Sequence, residues 1–341
     1  MESNIEIKFA LIICTYHRAD SLKRLLESVV DQSLYPDQIL IIDGSKDYRT
    51  HNLLRKNSFA NTEYLRVEDK DRGLTRQRNF GISKVAEDIE VVCFLDDDIV
   101  LKKEYFEQLI RTYKIYPNAL AVGGKILDEA EWRRVAPDYK IKFDEFKLDG
   151  FVRNLGSRNV LRKRLGLLPN QPPGFMPEFS HGFSTGFLPP SDKIYSVEFF
   201  MGGVSSYRKE LFSKIAFSTY FEGYGLYEDM DFCLRASKIG QLYLNTAACC
   251  YHFHEEAGRP DQMKYGKMVV RNGHYVWKLK NPNPGLDNII KWNLITFLLL
   301  VIRFKNDILD GEKEARKDAI GRLKYWILLA WNPTEPDKPK S

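Results

Sequence analysis

FALIIC at residues 9–14 is a continuous apolar run, the pattern of a parallel strand that is covered on both faces of its sheet. Comparable runs at 38–42 and 89–95 (IEVVCFL) predict two further buried strands. Between these runs, residues 20–31 carry apolar side chains at helical spacing, and residues 71–86 are also predicted to be helical. Strands that alternate with helices in this way predict a doubly wound α/β sheet.

Each of the three predicted strands ends in polar residues, which read TYHR at 15–18, DGS at 43–45 and DDD at 96–98. In doubly wound sheets, ligands bind outside the carboxyl ends of the strands. The sequence therefore predicts a ligand site where these three strand ends meet at one edge of the sheet.

The middle of the chain differs in kind from its beginning. Residues 128–195 are rich in proline, arginine and aromatic side chains and show little periodicity, so they could shape a substrate pocket or an oligomer contact. After this excursion, short strands are predicted at 197–201, 241–244 and 247–252, which would return the chain to the sheet.

A domain over 1–260 is predicted to be followed by a helical C-terminal region over 261–341. Residues 264–341 hold 15 Lys and Arg against 8 Asp and Glu, while the other residues hold 36 against 38. The net charge of +5 therefore comes from the C-terminal region. This basic excess flanks an apolar helix instead of forming a stripe interleaved with aromatic residues, which argues against nucleic-acid binding.

The predicted helix at 289–304 is apolar nearly all round. The longest apolar run, 294–302, is about half of the roughly 20 residues that a membrane-spanning helix needs. Two alternatives remain: a buried or oligomer-forming helix, and a helix that lies in the plane of an anionic membrane surface. In the second case, peripheral membrane contact would run through residues 287–305.

The cysteines and the N-terminus indicate a cellular compartment. The chain contains five cysteines, and none has the spacing of a metal site: Cys14, Cys93, Cys233, Cys249 and Cys250. Buried, reduced thiols of a cytosolic protein are the interpretation we adopt. Residues 1–8 are polar and lack the apolar core of a signal peptide. We expect a cytoplasmic protein, either free or peripheral on the cytoplasmic face of the membrane.

Asp96, Asp97 and Asp98 form a cluster of carboxylates at a strand end, which is costly to assemble without a cation. Alternate residues of an extended segment point the same way, so Asp96 and Asp98 could share one ion. Carboxylate ligands suit Mg²⁺ or Mn²⁺. The alternative is a solvated acidic turn, but the strand that precedes the cluster is too apolar for a sheet edge.

A second acidic cluster, EDMD at 228–231, opens a predicted helix. Acidic residues in a first helical turn also stabilise the helix dipole, although a carboxylate here is equally a candidate general base. His252 and His254 lie two apart in a predicted strand and would face the same side. A structural histidine is the alternative to a metal ligand.

Three arginines surround Gly73 in DRGLTRQRN at 71–79, namely Arg72, Arg76 and Arg78. The guanidinium fork matches the oxygens of a diphosphate. The alternative is an exposed basic face at the start of a helix.

Seven stretches together resemble, in order, the family 2 glycosyltransferases: CTYHR, IIDGS, GLTRQRN, FLDDDI, MGGVSSYRKELF, YEDMDFCLR and YHFH. The resemblance covers roughly residues 8–254. It implies the GT-A fold, a Rossmann-like mixed sheet flanked by helices, here with a helical C-terminal extension. The first motif reads TYHR where many relatives have TYNR, and 128–195 and 261–340 lie outside the recognisable motifs.

The resemblance also implies a role for each matching residue. The residues that would line the site of the nucleotide donor are Thr15, Tyr16, Arg18, Asp43, Arg72, Arg78, Asp96 and Asp97. Gly202, Gly203 and Glu228 would lie near the donor sugar or the acceptor. On this basis, the excursion at 128–195 is assigned to the acceptor side.

The same resemblance assigns the metal and the base. Asp98 and Asp96 would hold the divalent metal, Mn²⁺ or Mg²⁺, together with His252 or, as second choice, His254. Asp229 would be the catalytic base. The implied activity is metal-dependent, inverting transfer of a sugar from a nucleotide-diphosphate donor to an acceptor hydroxyl on a glycan or a lipid-linked glycan. UDP is the expected nucleotide, and polysaccharide or glycolipid synthesis is the expected setting.

Two other classes of protein share some of these features. A sugar nucleotidyltransferase would need a Gly-rich phosphate loop after the first strand, where this chain reads CTYHRADS. A catalytically inactive relative that acts as a binding or scaffold protein is the main alternative. Against it, every acidic position that the chemistry requires is filled.

Overall fold

The computed structural model describes residues 7–127, 130–221, 223–254, 261–311, 313–332 and 334. Contacts between Cα atoms divide the chain into two compact units. The first comprises residues 1–130 and 188–258, and the second comprises 131–187 and 259–341. Most of the predicted excursion therefore belongs to the same unit as the C-terminal helices, and the domain boundary expected at residue 260 remains a prediction.

The strands and helices of both units are numbered here in chain order. The strands are β1 (Phe9–Thr15), β2 (Gln38–Asp43), β3 (Thr62–Arg66), β4 (Val91–Asp96), β5 (Ile99–Leu101), β6 (Ala119–Ile126), β7 (Arg133–Arg134), β8 (Glu145–Leu148), β9 (Phe151–Asn154), β10 (Ile194–Val197), β11 (Val204–Arg208) and β12 (Gln241–His252). The helices are α1 (Ala19–Val30), α2 (Arg49–Lys56), α3 (Leu74–Ile82), α4 (Tyr105–Ile115), α5 (Ser157–Arg164), α6 (Glu228–Ala236), α7 (Gln262–Lys280), α8 (Leu286–Asp310) and α9 (Lys313–Trp331).

The first unit is built around a mixed sheet with the strand order β10-β12-β6-β11-β4-β1-β2-β3, and β5 pairs with β12. Strands β4, β1, β2 and β3 are mutually parallel. Strand β11 runs antiparallel to both of its neighbours, β4 and β6. The predicted α/β fold with a mixed sheet is therefore confirmed.

The apolar runs of the sequence form the centre of this sheet. Phe9 to Ile13 in β1 are at most 1% exposed, as a strand covered on both faces requires. Helix α1 buries Leu22, Leu25, Leu26 and Val29, which follow the 3–4 spacing of one helical face. These two patterns were predicted correctly because burial alone determines them.

Two predicted elements differ from the structure. The strand expected at 197–201 is wrong in position, because β10 runs from Ile194 to Val197 and residues 198–201 are not in a strand. They lead into Gly202 and Gly203, which lie against the acidic residues at the edge of the sheet. The strands expected at 241–244 and 247–252 are one strand, β12, whose register shifts between Leu244 and Cys249. At this irregularity, Asn245 Nδ2 donates to Thr112 Oγ1 over 2.9 Å.

The helix expected over 71–86 is shorter than predicted, because α3 runs only from Leu74 to Ile82. It begins after Gly73, whose φ of +115° lies in a region that residues with a Cβ rarely adopt. A 3-10 turn at Asp69–Asp71 precedes it. The glycine that breaks the predicted helix also sets the direction in which α3 leaves the edge of the sheet.

The second unit contains a small antiparallel sheet of order β7-β9-β8, helix α5 and the three C-terminal helices. Helices α7 and α9 approach closely where each has a glycine. A Cβ at Gly266 would lie 2.1 Å from the backbone oxygen of Asp318, and one at Gly321 would lie 2.1 Å from that of Met263. No helix in the described part of the chain combines the length and the apolar character needed to cross a membrane.

Candidate active site

The ends of β1, β2 and β4 lie side by side at one edge of the sheet. Thr15 at the end of β1 pairs in register with Asp43 of β2, and Cys14 pairs with Asp96 of β4. Because the three strands are parallel neighbours, the polar residues that follow them meet at the same edge. The convergence predicted from the sequence is therefore present in the structure.

Asp43 is fully buried at the end of β2 and accepts two hydrogen bonds. The donors are the backbone N–H of Ser45, at 2.8 Å, and the phenol of Tyr64, at 2.9 Å. Burial and the nearby Asp43 carboxylate raise the pKa of Tyr64, so the phenol stays protonated and able to donate. The side chain of Tyr16, by contrast, is 38% exposed, and it leaves an aromatic ring at the surface of this edge.

Asp97 is buried and is bound by residues of the β1 end. It accepts hydrogen bonds from Thr15 Oγ1 at 2.7 Å and from Arg18 Nη1 at 3.1 Å. Burial raises the pKa of Asp97 to about 7, and the charge of Arg18 opposes this shift. Through these two hydrogen bonds, Asp97 holds Thr15 at the end of β1 and the side chain of Arg18 in position.

Asp98 lies between a cation and an imidazole. Its Oδ2 is 3.4 Å from Arg18 Nη1, and its Oδ1 is 3.2 Å from His252 Nε2. His252 ends β12, which pairs with β5 directly after the acidic cluster, so sheet pairing brings the two residues together. The ring of His254 lies 4.0 Å from that of His252.

Residues 97 and 98 form a turn between β4 and β5, so the extended geometry expected for the acidic cluster is wrong. Among the residues that the structure describes, no three His, Cys, Asp or Glu side chains come together as a cation site. Asp98 and His252 nevertheless place an oxygen and a nitrogen ligand next to each other. This pair fits a divalent cation that takes its remaining ligands from substrate phosphates and water.

Helix α6 begins with two more carboxylates of the site, a buried one on Glu228 and a partly buried one on Asp229. Glu228 Oε1 accepts a hydrogen bond from Arg78 Nη1 at 2.5 Å. Asp229 Oδ2 accepts from the backbone N–H of Gly202 at 3.2 Å, and its Oδ1 accepts from that of Met230 at 2.7 Å. Burial raises the pKa of Asp229, which makes this carboxylate a better proton acceptor than an exposed aspartate.

Gly202 and Gly203 allow the backbone to approach these carboxylates. A Cβ at Gly202 would lie 2.7 Å from both Arg78 Nη1 and Glu228 Oε1, and one at Gly203 would lie 2.2 Å from Asp96 Oδ2. Both contacts are shorter than real Cβ contacts, so a side chain at either position would have to displace the ends of these charged side chains. The two glycines thus preserve the arrangement of the carboxylates, and the proposed contact with a sugar or acceptor remains a prediction.

Arg78 occupies a place that the sequence did not indicate. It is only 2% exposed, and its guanidinium carbon lies 5.5 and 5.2 Å from the ring centroids of Phe94 and Phe217. Its guanidinium pairs with Glu228 and lies 3.5 Å from Asp96. It therefore connects two acidic clusters, whereas a contact with the base or diphosphate remains only a prediction.

The other two arginines of the motif lie nearer the surface. Arg72 Nε donates to the backbone oxygen of Gly44 at 2.7 Å, and its side chain pairs with Asp69. Arg76 Nη1 donates to the backbone oxygen of Lys70 at 2.6 Å. Arg72 thus lies beside the end of β2, where a donor-site residue is expected. Nothing in the sequence of the motif distinguishes Arg78 from the other two arginines. The apolar residues that bury it are neighbours only in space.

The mixed sheet and its carboxylate-rich edge define a protein of the GT-A glycosyltransferase fold. The chain belongs to glycosyl transferase family 2, because the model of that family matches residues 10–215. This match bears out the resemblance found in the motifs.

Two curated relatives are similar to part of the chain. The glucosyl-dolichyl phosphate glucuronosyltransferase of Haloferax volcanii is 28% identical over 138 residues, which cover 39% of this chain and 42% of that protein. The O-antigen chain rhamnosyltransferase RfbN of Salmonella typhimurium is 30% identical over 122 residues, which cover 36% and 38%. The chain thus spans about two fifths of the length of these relatives.

Solved structures share the fold at low identity. The mannosyltransferase PcManGT from Pyrobaculum calidifontis, in complex with GDP-Man and Mn²⁺, superimposes with a TM-score of 0.53 at 14% identity, over 97% of this chain and 88% of that one. GalNAc-T7 with UDP, GalNAc and Mn²⁺ gives a TM-score of 0.52 at 14% identity, over 96% and 57%.

Proposed function

We propose that this protein is a metal-dependent, inverting glycosyltransferase that moves a sugar from a nucleotide-diphosphate donor, with UDP as the nucleotide, to an acceptor hydroxyl. The observation that carries the proposal is the pair of acidic groups at one sheet edge. Asp98 lies beside His252, and Asp229 has a raised pKa beside Gly202. One group suits a cation and the other suits a proton acceptor.

In the proposed reaction, the acceptor oxygen forms a bond to the anomeric carbon as the bond from that carbon to the diphosphate breaks. Asp229 takes the proton of the acceptor hydroxyl during the attack. Arg78 holds the neighbouring Glu228 through a 2.5 Å hydrogen bond, which fixes the first turn of α6 and the position of the base. Inversion follows because the attack and the departure take place on opposite faces of the sugar.

Asp98 and His252, with Asp96 nearby in the chain, would hold the divalent metal. When bound, the metal supplies positive charge that stabilises the departing diphosphate. We place the nucleotide at the strand ends, beside the residues Thr15, Tyr16, Arg18, Asp43, Arg72 and Asp97. Mn²⁺ is the favoured metal because PcManGT and GalNAc-T7 were solved with it.

The acceptor is inferred at a coarser level. One relative is named for a glucosyl-dolichyl phosphate acceptor and the other for an O-antigen chain, and both are products of polysaccharide or glycolipid synthesis. We propose an acceptor of this class, with peripheral membrane contact through 287–305. Transfer at the cytoplasmic face is part of this proposal. Residues 128–195 remain assigned to the acceptor side.

The first test is the thermal stability of the purified protein with UDP, dTDP or GDP, each in Mn²⁺ and in EDTA. A ligand that binds only the folded state stabilises it by about 2.7 kcal/mol at roughly 100 times its dissociation constant. We expect a shift with UDP that disappears in EDTA. A shift with GDP instead would change the nucleotide and keep the mechanism.

The alternative is an inactive, binding or scaffold relative. It predicts that UDP binds without hydrolysis or transfer to any acceptor, whereas the proposed enzyme slowly hydrolyses its cognate UDP-sugar even without acceptor. Release of UDP from a panel of UDP-sugars therefore separates the two functions. The absence of both nucleotide binding and UDP release across the panel would count against the enzyme.

A further inference from the structure

Helix α8 in the second unit carries apolar side chains on two faces. On one face, Trp292, Ile295 and Leu300 are at most 5% exposed. On the other face, side chains that recur every three, four or seven residues are between 44% and 75% exposed. These residues, which we call the apolar stripe, are Leu286, Ile290, Leu294, Phe297, Val301 and Ile308. A helix with two apolar faces needs an apolar partner for the second one.

Next to the stripe, residues of α7, α8 and α9 line an open cavity of about 640 Å³. Four of the five tryptophans of the chain line it: Trp277, Trp292, Trp326 and Trp331. The volume lies within the range of roughly 300–1,000 Å³ found for sites that bind small molecules. Such a concentration of aromatic surface indicates a ligand that is largely apolar.

Two of the four indole groups have their N–H donors bound to atoms of the protein. Trp277 Nε1 donates to the backbone oxygen of Glu178 at 2.8 Å, and Trp326 Nε1 donates to Asn293 Oδ1 at 2.8 Å. The rings of Trp277 and Trp292 are stacked with centroids 5.5 Å apart. Burial lowers the pKa of His274, which also lines the cavity, to about 4, so its imidazole is neutral at neutral pH.

The cavity opens onto exposed apolar surface. Ile289, Ile327 and Trp331 line it and are also 38%, 56% and 85% exposed. Lys278 lines it as well and provides a cation at an otherwise apolar site. The surrounding segment, residues 264–341, has a net charge of +7. Two copies of such a segment repel each other, whereas an anionic membrane surface attracts it.

We propose that the tryptophan cavity binds the hydrocarbon chain of an anionic lipid, taken from a bilayer on which the apolar stripe lies. This proposal rests on the membrane contact named above and adds a specific lipid site to it. Tryptophan is enriched where proteins meet the membrane interface, and in-plane helices combine an apolar face with basic residues. The apolar stripe, the cavity and the positive charge lie in the same three helices.

Dodecyl phosphate, used below the concentration at which it forms micelles, tests the cavity without a membrane. All five tryptophans belong to the second unit, so their fluorescence reports on this part of the chain. We expect saturable binding of dodecyl phosphate and no effect of inorganic phosphate. Octyl phosphate should bind at least tenfold more weakly, because each buried methylene changes affinity by roughly fourfold.

Ala330 lines the cavity, and a larger side chain there should occupy the space of the ligand. We expect Ala330→Trp to weaken dodecyl phosphate binding by at least about tenfold, since several methylenes lose their place. Ala330→Leu is the smaller variant, and it should weaken binding in the same direction if Ala330→Trp does not fold. The matched control, Ile290→Gln with Leu294→Gln, changes only the apolar stripe and should leave dodecyl phosphate binding unchanged.

Flotation with vesicles tests the membrane contact separately. The wild type and Ala330→Trp should float with vesicles of phosphatidylcholine and phosphatidylglycerol, and the double glutamine variant should not. Probe binding without flotation would support the cavity and remove the membrane contact. Failure of the wild type to bind dodecyl phosphate, or binding by both Ala330→Trp and Ala330→Leu that is as tight as in the wild type, would overturn the lipid site.

Light scattering in solution tests whether a second copy of this chain covers the apolar stripe. A stable dimer that the double glutamine variant dissociates would overturn the membrane contact in favour of a second copy. The UDP-induced thermal shift, measured on the same samples, should be the same in every variant. Absence of a shift with UDP, dTDP and GDP in the wild type, together with absence of UDP release, would instead count against the proposed glycosyltransferase function, so the two failures can be distinguished.

Discussion

The acidic edge of the first unit and the tryptophan cavity of the second are opposite in chemistry and in how the sequence encodes them. At the acidic edge, buried carboxylates of Asp97, Asp98 and Glu228 are each paired with a cation or an imidazole. In the cavity, the lining is mostly apolar and includes four tryptophans, and the two indole N–H groups described above donate to other atoms of the protein. The charged residues of the acidic edge belong to short sequence motifs, whereas the aromatic residues of the cavity are spread over three helices and share no motif.

This comparison predicts that changes at one region affect catalysis or stability, while changes at the other affect lipid binding. The largest effect is expected for Asp229→Asn, because removing a general base typically costs about 10²- to 10⁴-fold in rate. Turnover with the cognate donor and acceptor should fall by this amount, and UDP affinity and vesicle flotation should not change. Normal turnover by the variant would exclude Asp229 as the base.

The next effect concerns stability. Arg78→Met removes the cation from a pair that is 3% and 6% exposed, and breaking a buried pair on one side costs about 3–5 kcal/mol. The free energy of unfolding in urea, followed by circular dichroism, should fall by an amount of this order. The exposed pair Lys8–Asp88, at 51% and 62% exposure, provides the control, and Lys8→Met should leave the transition almost unchanged.

If Arg78→Met lowers the free energy of unfolding no more than Lys8→Met does, the pair of Arg78 and Glu228 contributes no more to stability than an exposed ion pair. Arg78→Lys tests geometry as well as charge. Lysine keeps the positive charge but lacks the planar fork, so an intermediate stability is expected.

Much of the first unit was predictable, and the reasons are local. Residues 9–14 and the 22-25-26-29 spacing of α1 are determined by burial, and parallel strand order then brings the polar ends together. The Asp98–His252 contact followed from the motifs only as a resemblance, since the two residues lie in different strands and sheet pairing alone brings them together. The burial of Arg78 was not predictable, because its aromatic neighbours are distant in sequence.

The second unit was less predictable because most of it lies outside the recognisable motifs. The apolar helix at 289–304 was recognised, and it lies within α8. The cavity was not, since tryptophans at 277, 292, 326 and 331 have no common spacing in the chain. The sequence also does not indicate the role of Gly266 and Gly321, which let α7 and α9 approach closely, because contact between helices is visible only in three dimensions.

A third prediction concerns the metal at the acidic edge. Asp98→Ala and His252→Ala should each weaken UDP binding in Mn²⁺ by at least about tenfold, while binding in EDTA should be equally weak in wild type and variants. Calorimetric titration of UDP with and without Mn²⁺ measures both. His254→Ala is the matched control. A larger effect of this variant than of His252→Ala would identify His254 as the metal ligand instead of His252.

A fourth prediction uses the raised pKa of Asp229. The base must be ionised, so kcat/KM should rise with pH as Asp229 loses its proton and then level off. Because burial raises the pKa, the midpoint of this rise should lie above the value near 3.8 of an ordinary aspartate. The pH dependence of kcat/KM checks this, and Asp229→Asn should lose the rise; a profile that persists in the variant would assign it to another group.

The smallest effect on stability is expected in the apolar stripe. Ile290 and Leu294 are each 50% exposed, and surface substitutions away from special features usually change the free energy of unfolding by no more than about 0.5 kcal/mol. Ile290→Gln with Leu294→Gln should therefore leave the urea transition almost unchanged while abolishing flotation with anionic vesicles. A loss of several kcal/mol would mean that these side chains are covered in the folded protein. The contrast between buried charge at the acidic edge and exposed apolar surface on α8 would then no longer hold.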